Sequence, residues 1–176
     1  MKLRVGVIGL GNMGKHHVRN YHEIPDVEVA GICDLNPDVL KLFTHYGYPM
    51  FTDLDTMLAQ SNLDAVSITV PTRYHHEVAQ KVIESGIHLL VEKPISDSLE
   101  QADDIVKRAK DKGVILAVGH IERFNPAVIR LKELVDSGAI GKITSIIAKR
   151  VGAFPAQIKD ANVVIDLAVH DIDIFS

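Results

Sequence analysis

Three glycines in the pattern G-x-G-x-x-G lie directly behind an apolar, β-branched run, in Val5-Gly6-Val7-Ile8-Gly9-Leu10-Gly11-Asn12-Met13-Gly14. A polar segment from Lys15 to Asn20 follows and can continue as a helix. In a strand–turn–helix setting each glycine has its own task. Gly9 allows the tight turn, Gly11 leaves room for a close-lying pyrophosphate, and Gly14 lets the helix approach the sheet. The backbone N–H groups at Asn12, Met13 and Gly14 open that helix, and its positive end attracts phosphate. Asp34 closes the next apolar run, Val27–Cys33, twenty residues after Gly14. A carboxylate there accepts hydrogen bonds from the ribose hydroxyls of an adenosine and repels a 2′-phosphate. The expected cofactor is therefore NAD in preference to NADP. A glycine-rich turn that binds nothing is the alternative, and strand, helix and Asp34 together argue against it.

A second set of residues could act on a substrate. Lys93 follows an apolar run directly, in Glu92-Lys93-Pro94, at the edge of a sheet where ligands bind. Its ammonium can reach a substrate oxygen and the nicotinamide ribose, or it can be an ordinary surface lysine. Asp166 and His170 are four apart in an otherwise apolar stretch, Val163–Phe175, so they share a helix face. A carboxylate beside an imidazole suits proton transfer, and two ionisable groups in such a stretch are costly unless they face a cleft. They can equally cap or solvate the helix. As metal ligands they make only two, with no third suggested, so no metal is expected. His75 and His76 begin the segment after Val70-Pro71, where one of them can reach the nicotinamide side of a cofactor and His76 reads as a surface residue. His120, Arg123 and Asn125 lie in a polar loop and could contact a polar substrate; Asn125 also fits a helix N-cap. His16 and His17 read as helix-face residues.

These residues need a scaffold that brings strand ends together, and the pattern supplies one. Strands are expected at Leu3–Ile8, Glu28–Cys33, Pro49–Phe51, Ala65–Val70, Ile87–Val91 and Val114–Val118. Helical segments separate most of them, with Asn36-Pro37, Asp53 and Ser98 as starts and Gly47, Gly86 and Gly113 as stops. Leu99, Ala102, Ile105, Val106 and Ala109 form one expected apolar stripe. Strands alternating with helices predict an α/β fold, a doubly wound parallel sheet of Rossmann type, with strand order 3-2-1-4-5-6. The nucleotide then belongs at the carboxyl ends of the first and fourth strands, where Gly9–Gly14 and Val70-Pro71 stand. After Gly119 the pattern changes. A helix opened by Asn125-Pro126, a long strand at Lys142–Val151 and the Val163–Phe175 helix read as the start of a second, α+β domain. The expected division is thus 1–119 for dinucleotide binding and 120–176 for the beginning of a substrate-binding and oligomerisation domain that is incomplete on its own.

Composition narrows the classes. The chain has 176 residues, 47% hydrophobic, with net charge −4 and no long basic run, so nucleic acid is not an expected partner. No apolar stretch approaches the ~20 residues needed to span a bilayer, and the N-terminus enters a strand with no signal-peptide pattern. Cys33 is the sole cysteine and reads as a small core residue rather than a nucleophile. A cytoplasmic location is expected.

Together these motifs resemble the Gfo/Idh/MocA family, the glucose–fructose oxidoreductase and inositol dehydrogenase group. The matching pieces are Gly9–Gly14, Val70-Pro71 with His75, Glu92-Lys93-Pro94, Arg123-Phe124-Asn125-Pro126 and Asp166-Leu167-Ala168-Val169-His170, in the family's order. The resemblance implies that Lys93 is catalytic, with Asp166 and with His170 as proton acceptor. The implied reaction is NAD-dependent hydride transfer at a hydroxyl-bearing carbon of a sugar, nucleotide sugar or cyclitol, in a homo-oligomer. Gly119–Ala127, Arg150–Pro155 and Ile165–Asp173 resemble a branch that acts on UDP-N-acetylglucosamine. Ala161-Asn162 departs from the glycines that many members carry there. Members usually continue through an open β-sheet that builds the substrate wall and oligomer interface. A non-catalytic dinucleotide-binding or redox-sensing module is the alternative, and Lys93, Asp166 and His170 favour the enzyme.

Overall fold

The computed structural model describes residues 1–150 and 168–176. Two compact units make up the chain, Met1–Gly119 and His120–Ser176. In the first, β1 (Leu3–Ile8), α1 (Gly14–Glu23), β2 (Val27–Cys33), α2 (Pro37–Lys41), β3 (Met50–Phe51), α3 (Leu54–Gln60), β4 (Ala65–Ile68), α4 (His75–Glu84), β5 (His88–Val91), α5 (Leu99–Lys112) and β6 (Leu116–Val118) alternate along the chain. The strands form one parallel sheet in the order β3-β2-β1-β4-β5-β6, the doubly wound arrangement expected from the alternation.

Period-two alternation within the strands builds a core on each face of the sheet. On one face Val5, Val7, Val29 and Ile32 pack with Val18, Leu40 and Phe43 from the helices. On the other, Ile8, Ile68, Leu89 and Val91 pack with Met57, Val82, Ile83 and Ile105. The helix starts follow local chemistry. Asn36 Oδ1 accepts from the Asp38 N–H, Asp53 Oδ1 from the Thr56 N–H, and Ser98 Oγ from the Gln101 N–H.

Several boundaries differ from expectation. β4 stops at Ile68 rather than Val70, because Pro71 has no N–H to extend a ladder and Thr69 and Val70 turn the chain. The expected single helix from Asn36 to Tyr46 is broken into α2 and one tight turn at Thr44–Tyr46. On α5, Leu99 and Val106 face solvent, while Ile105 and Ala109 carry the buried stripe.

In the second unit, one tight turn at Ile121–Phe124 leads to α6 (Pro126–Asp136), and α7 (Val169–Phe175) closes the chain. Asn125 Oδ1 accepts from the Ala127 N–H, as an N-cap should. The expected strand Lys142–Val151 is not formed over residues 142–150, and Val151 lies outside the described residues. A strand is held by ladder bonds to a neighbour, and no strand among the described residues pairs with this segment. Ile143, Ile146 and Ile147 are accordingly exposed. The first part of the expected Val163–Phe175 helix, through Leu167, also lies outside the described residues.

Candidate functional site

The parallel register aligns the carboxyl ends of five strands on one edge. Ile8 pairs with Cys33 and Ile68, Ile68 with Val91, and Val91 with Val118. One further rung of backbone bonds continues the ladder past those ends: Gly9 N–H to Cys33 O, Thr69 N–H to Ile8 O, Glu92 N–H to Ile68 O and Gly119 N–H to Val91 O. Gly9, Asp34, Thr69, Glu92 and Gly119 therefore stand in a row at the edge where doubly wound sheets take their ligands.

The glycine loop is tightly braced below and open above. Gly9 has φ +88°, and a Cβ there would stand 2.8 Å from the Val70 nitrogen. A Cβ at Gly14 would run into the Gly9 carbonyl, so only glycine lets α1 start this close to β1. At Gly11, by contrast, a Cβ would meet nothing within 4 Å. Asn12 and Met13 are exposed beside it, and the first turn of α1 carries no acidic side chain to neutralise its positive end. This cradle fits a dinucleotide pyrophosphate.

Asp34 has a structural task besides the one read from spacing. Its Oδ2 accepts from the Leu10 N–H at 2.8 Å and its Oδ1 from the Asn36 N–H at 2.9 Å. The carboxylate thus ties the glycine loop to the end of β2 while remaining partly exposed. Its neighbour Cys33 is buried, and burial together with the charges of Asp34 and Asp53 pushes that thiol up to about 11. Cys33 is therefore a core residue, not a nucleophile.

Lys93 is half-buried at the end of β5, and the Lys93–Pro94 bond is cis. His75, expected on the cofactor side, supports the loop in this structure. It is only 1% exposed, with Nδ1 2.9 Å from the Pro94 carbonyl and Nε2 2.9 Å from the Val70 carbonyl. The two ring nitrogens face these carbonyl oxygens, so the ring lies between the Val70-Pro71 turn and the Lys93-Pro94 turn. Glu92 is likewise turned inward. Its Oε1 is 2.9 Å from His17 Nε2, and its Oε2 accepts from the Lys93 N–H at 3.1 Å. Burial, the largest influence, pushes the Glu92 carboxyl up, yet the His17 contact, the Lys93 N–H and the Lys93 charge together hold it below its usual value. From sequence alone His17 reads as a helix-face residue, and sequence reasoning misses this contact. The available signal was Ser67, a polar residue inside an apolar strand, and Ser67 Oγ lies 3.0 Å from His17 Nδ1. His76 is bound to Asp104 on α5, as a surface residue would be.

In the second unit, Arg123 forks onto Asp173, with Nε 2.9 Å and Nη2 2.6 Å from the carboxylate. His120 Nδ1 lies 3.5 Å from the same carboxylate. The Arg123 hydrogen bond, helped by nearby His120 and His170, holds the Asp173 carboxyl below its usual value. Arg123 is thus engaged by its own unit, and Asp173 is a partner that the sequence reading did not assign. His170 lies half-buried on α7 one turn before Asp173. Asp166 lies outside the described residues. Among the described residues no cluster of His, Cys, Asp and Glu could hold a metal ion. No helix among them is long and apolar enough to cross a membrane.

A doubly wound parallel sheet with this glycine loop on its first strand defines the first unit as a dinucleotide-binding domain of Rossmann type. Residues 3–120 match the model of the Gfo/Idh/MocA group, described as an oxidoreductase family with an NAD-binding Rossmann fold, and the chain belongs to that family. It is 34% identical to the UDP-N-acetylglucosamine 3-dehydrogenase of Acidithiobacillus ferrooxidans, over 98% of this chain and 53% of the relative. It is 32% identical to the scyllo-inositol 2-dehydrogenase (NAD(+)) of Bacillus subtilis, over 98% of this chain and 53% of the relative. The crystal structure of scyllo-inositol dehydrogenase from Lactobacillus casei with bound NAD(H) and scyllo-inositol matches with a TM-score of 0.88 at 26% identity, covering 99% of this chain and 55% of that one. The chain spans about half the length of the curated relatives it matches.

Proposed function

We propose that this protein acts in NAD-dependent hydride transfer at a hydroxyl-bearing carbon of a sugar, with a nucleotide sugar such as UDP-N-acetylglucosamine as the substrate class. The observation that carries the reading is the alignment of the glycine loop, Asp34 and the Lys93 turn along one sheet edge. The identity to a UDP-N-acetylglucosamine 3-dehydrogenase over nearly the whole chain supports the substrate class. NAD, when bound, supplies the hydride acceptor. The amides of Gly11–Gly14 hold its pyrophosphate and Asp34 takes the ribose hydroxyls. Lys93 donates a hydrogen bond to the reacting oxygen, His170 accepts the hydroxyl proton, and Asp166 orients the imidazole. Val70, Pro71, His75 and Glu92 shape the cofactor side from beneath, and His120, Arg123 and Asn125 belong to the substrate side.

Residues 1–119 act as the dinucleotide-binding domain and 120–176 as part of the substrate-binding and oligomerisation domain. The exposed Ile143, Ile146 and Ile147 support self-association, and a cytoplasmic setting suits the single reduced, buried cysteine. The test is NADH fluorescence titration followed by turnover with a panel of UDP-sugars, inositols and aldoses. In the complete enzyme, NADH binding with turnover of a UDP-sugar is expected. Failure to bind NADH would overturn the reading, and binding with no turnover on any of the panel would favour a non-catalytic dinucleotide module.

A further inference from the structure

A network of polar side chains in the first unit converges on one buried carboxylate. Glu92 is 6% exposed and Ser67 wholly buried, among the aliphatic side chains of β4 and β5. A buried carboxylate is costly unless its lone pairs are used, and here both oxygens are engaged, by His17 and by the Lys93 N–H. The chain of contacts extends further, because Tyr21 Oη lies 2.7 Å from the same Ser67 Oγ that meets His17. One assignment of protons satisfies all of them. Tyr21 donates to Ser67, Ser67 donates to His17 Nδ1, and His17 Nε2–H donates to Glu92. On another side, a Cβ at Gly119 would stand 3.0 Å from Glu92 Oε2, so a side chain there would crowd the carboxylate. The participants come from α1, β4 and the end of β5, and the last link is the backbone of Lys93 itself.

We propose that His17 and Glu92 form a positioning pair for Lys93, fixing its backbone from the helix that opens at the glycine loop. The pair rests on the role given to Lys93 above. It acts on the reach of the ammonium more than on the pyrophosphate seat, since the Glu92 oxygens are engaged by His17 and the Lys93 N–H rather than by the glycine loop. Breaking it lets the turn drift, and misplacement of a reacting group by an ångström costs about 100-fold in rate.

The experiment measures steady-state turnover with UDP-N-acetylglucosamine and NAD, NADH affinity, thermal midpoint and the Lys93 amide resonance, in six variants. His17→Leu and Glu92→Met should each lower kcat about 10- to 100-fold with NADH affinity within about threefold of the parent. Both should move the Lys93 amide resonance. The double variant should be no slower than the slower single, as expected for residues acting as one unit. His17→Gln keeps an N–H for Glu92, and Glu92→Gln can keep the contact through the other His17 tautomer, so both should retain most of the turnover. Normal turnover in His17→Leu and Glu92→Met would overturn the pair. So would a loss of kcat that runs in parallel with lost NADH affinity and thermal midpoint and is not rescued by glutamine, because that marks a purely structural role. Lys93→Ala separates the two readings: if it keeps turnover, the role of Lys93 itself falls, whereas if it alone abolishes turnover, only the pair falls.

Discussion

Two glycines two positions apart should respond to the same substitution in opposite ways. Gly9→Ala places a side chain on a backbone at φ +88°, which costs a non-glycine residue about 1–2 kcal/mol. The new Cβ would also stand 2.8 Å from the Val70 nitrogen and 2.9 Å from the Thr69 carbonyl carbon. That backbone cannot give way, because the Thr69 N–H is bonded to Ile8 O and the Gly9 N–H to Cys33 O. Overpacking against fixed atoms adds about 1–3 kcal/mol. The sum is about 2–5 kcal/mol, a large part of the ~5–15 kcal/mol that holds a typical domain. At about 3–4 °C per kcal/mol, the thermal midpoint should fall by roughly 6–20 °C. Gly11→Ala meets nothing within 4 Å, so its midpoint should stay within about 2 °C of the parent. If a pyrophosphate lies over Gly11, however, the methyl group occupies its path, and a similar overpacking cost weakens NADH binding by about 5- to 150-fold. Circular dichroism melts and NADH fluorescence titrations on both variants make the comparison. Parent-like NADH affinity in Gly11→Ala would refute the placement of the pyrophosphate, and a parent-like melt in Gly9→Ala would refute the strain argument.

Asp34→Ser should narrow the preference for NADH over NADPH by removing a charge that repels a 2′-phosphate; parallel titrations of the two cofactors check this, and an unchanged ratio would be the contrary result. Lys93→Ala and His170→Ala should each lower kcat by about 10²–10⁴-fold, with NADH affinity nearly unchanged for His170→Ala. Because the folded protein holds the Glu92 carboxyl below its usual 4.5, the stabilisation is present above that value and is lost as pH falls through the lower folded one. Glu92→Gln should therefore flatten the fall in thermal midpoint on acidification below about pH 5, measured by melts across an acid series. Static light scattering should show self-association that Ile146→Lys with Ile147→Lys reduces, since both side chains are exposed.

Much of this molecule is written in short-range signals. The alternation of apolar runs with capped helical segments was enough to set six parallel strands in their order, because right-handed crossovers leave few topologies. Asn36, Asp53, Ser98 and Asn125 could be read as caps because capping joins residues two or three apart. Gly9, Gly11, Gly14 and Asp34 were legible for the same reason: a turn, a helix start and the next strand end are linked by chain geometry alone. The tertiary structure decided what depends on which helix face meets which strand end. His17 and Glu92 are 75 positions apart, and only the packing of α1 against the sheet brings their side chains together. His75 reads from spacing as a cofactor-side residue, and only the fold shows its ring lying against the Val70 and Pro94 carbonyls. Leu99 and Val106 fit an apolar stripe by spacing, but α5 buries Ile105 and Ala109 and leaves the first two in solvent. Residues 142–150 have a strand's composition and no strand's structure, because a strand, unlike a helix, must find its hydrogen bonds on another segment.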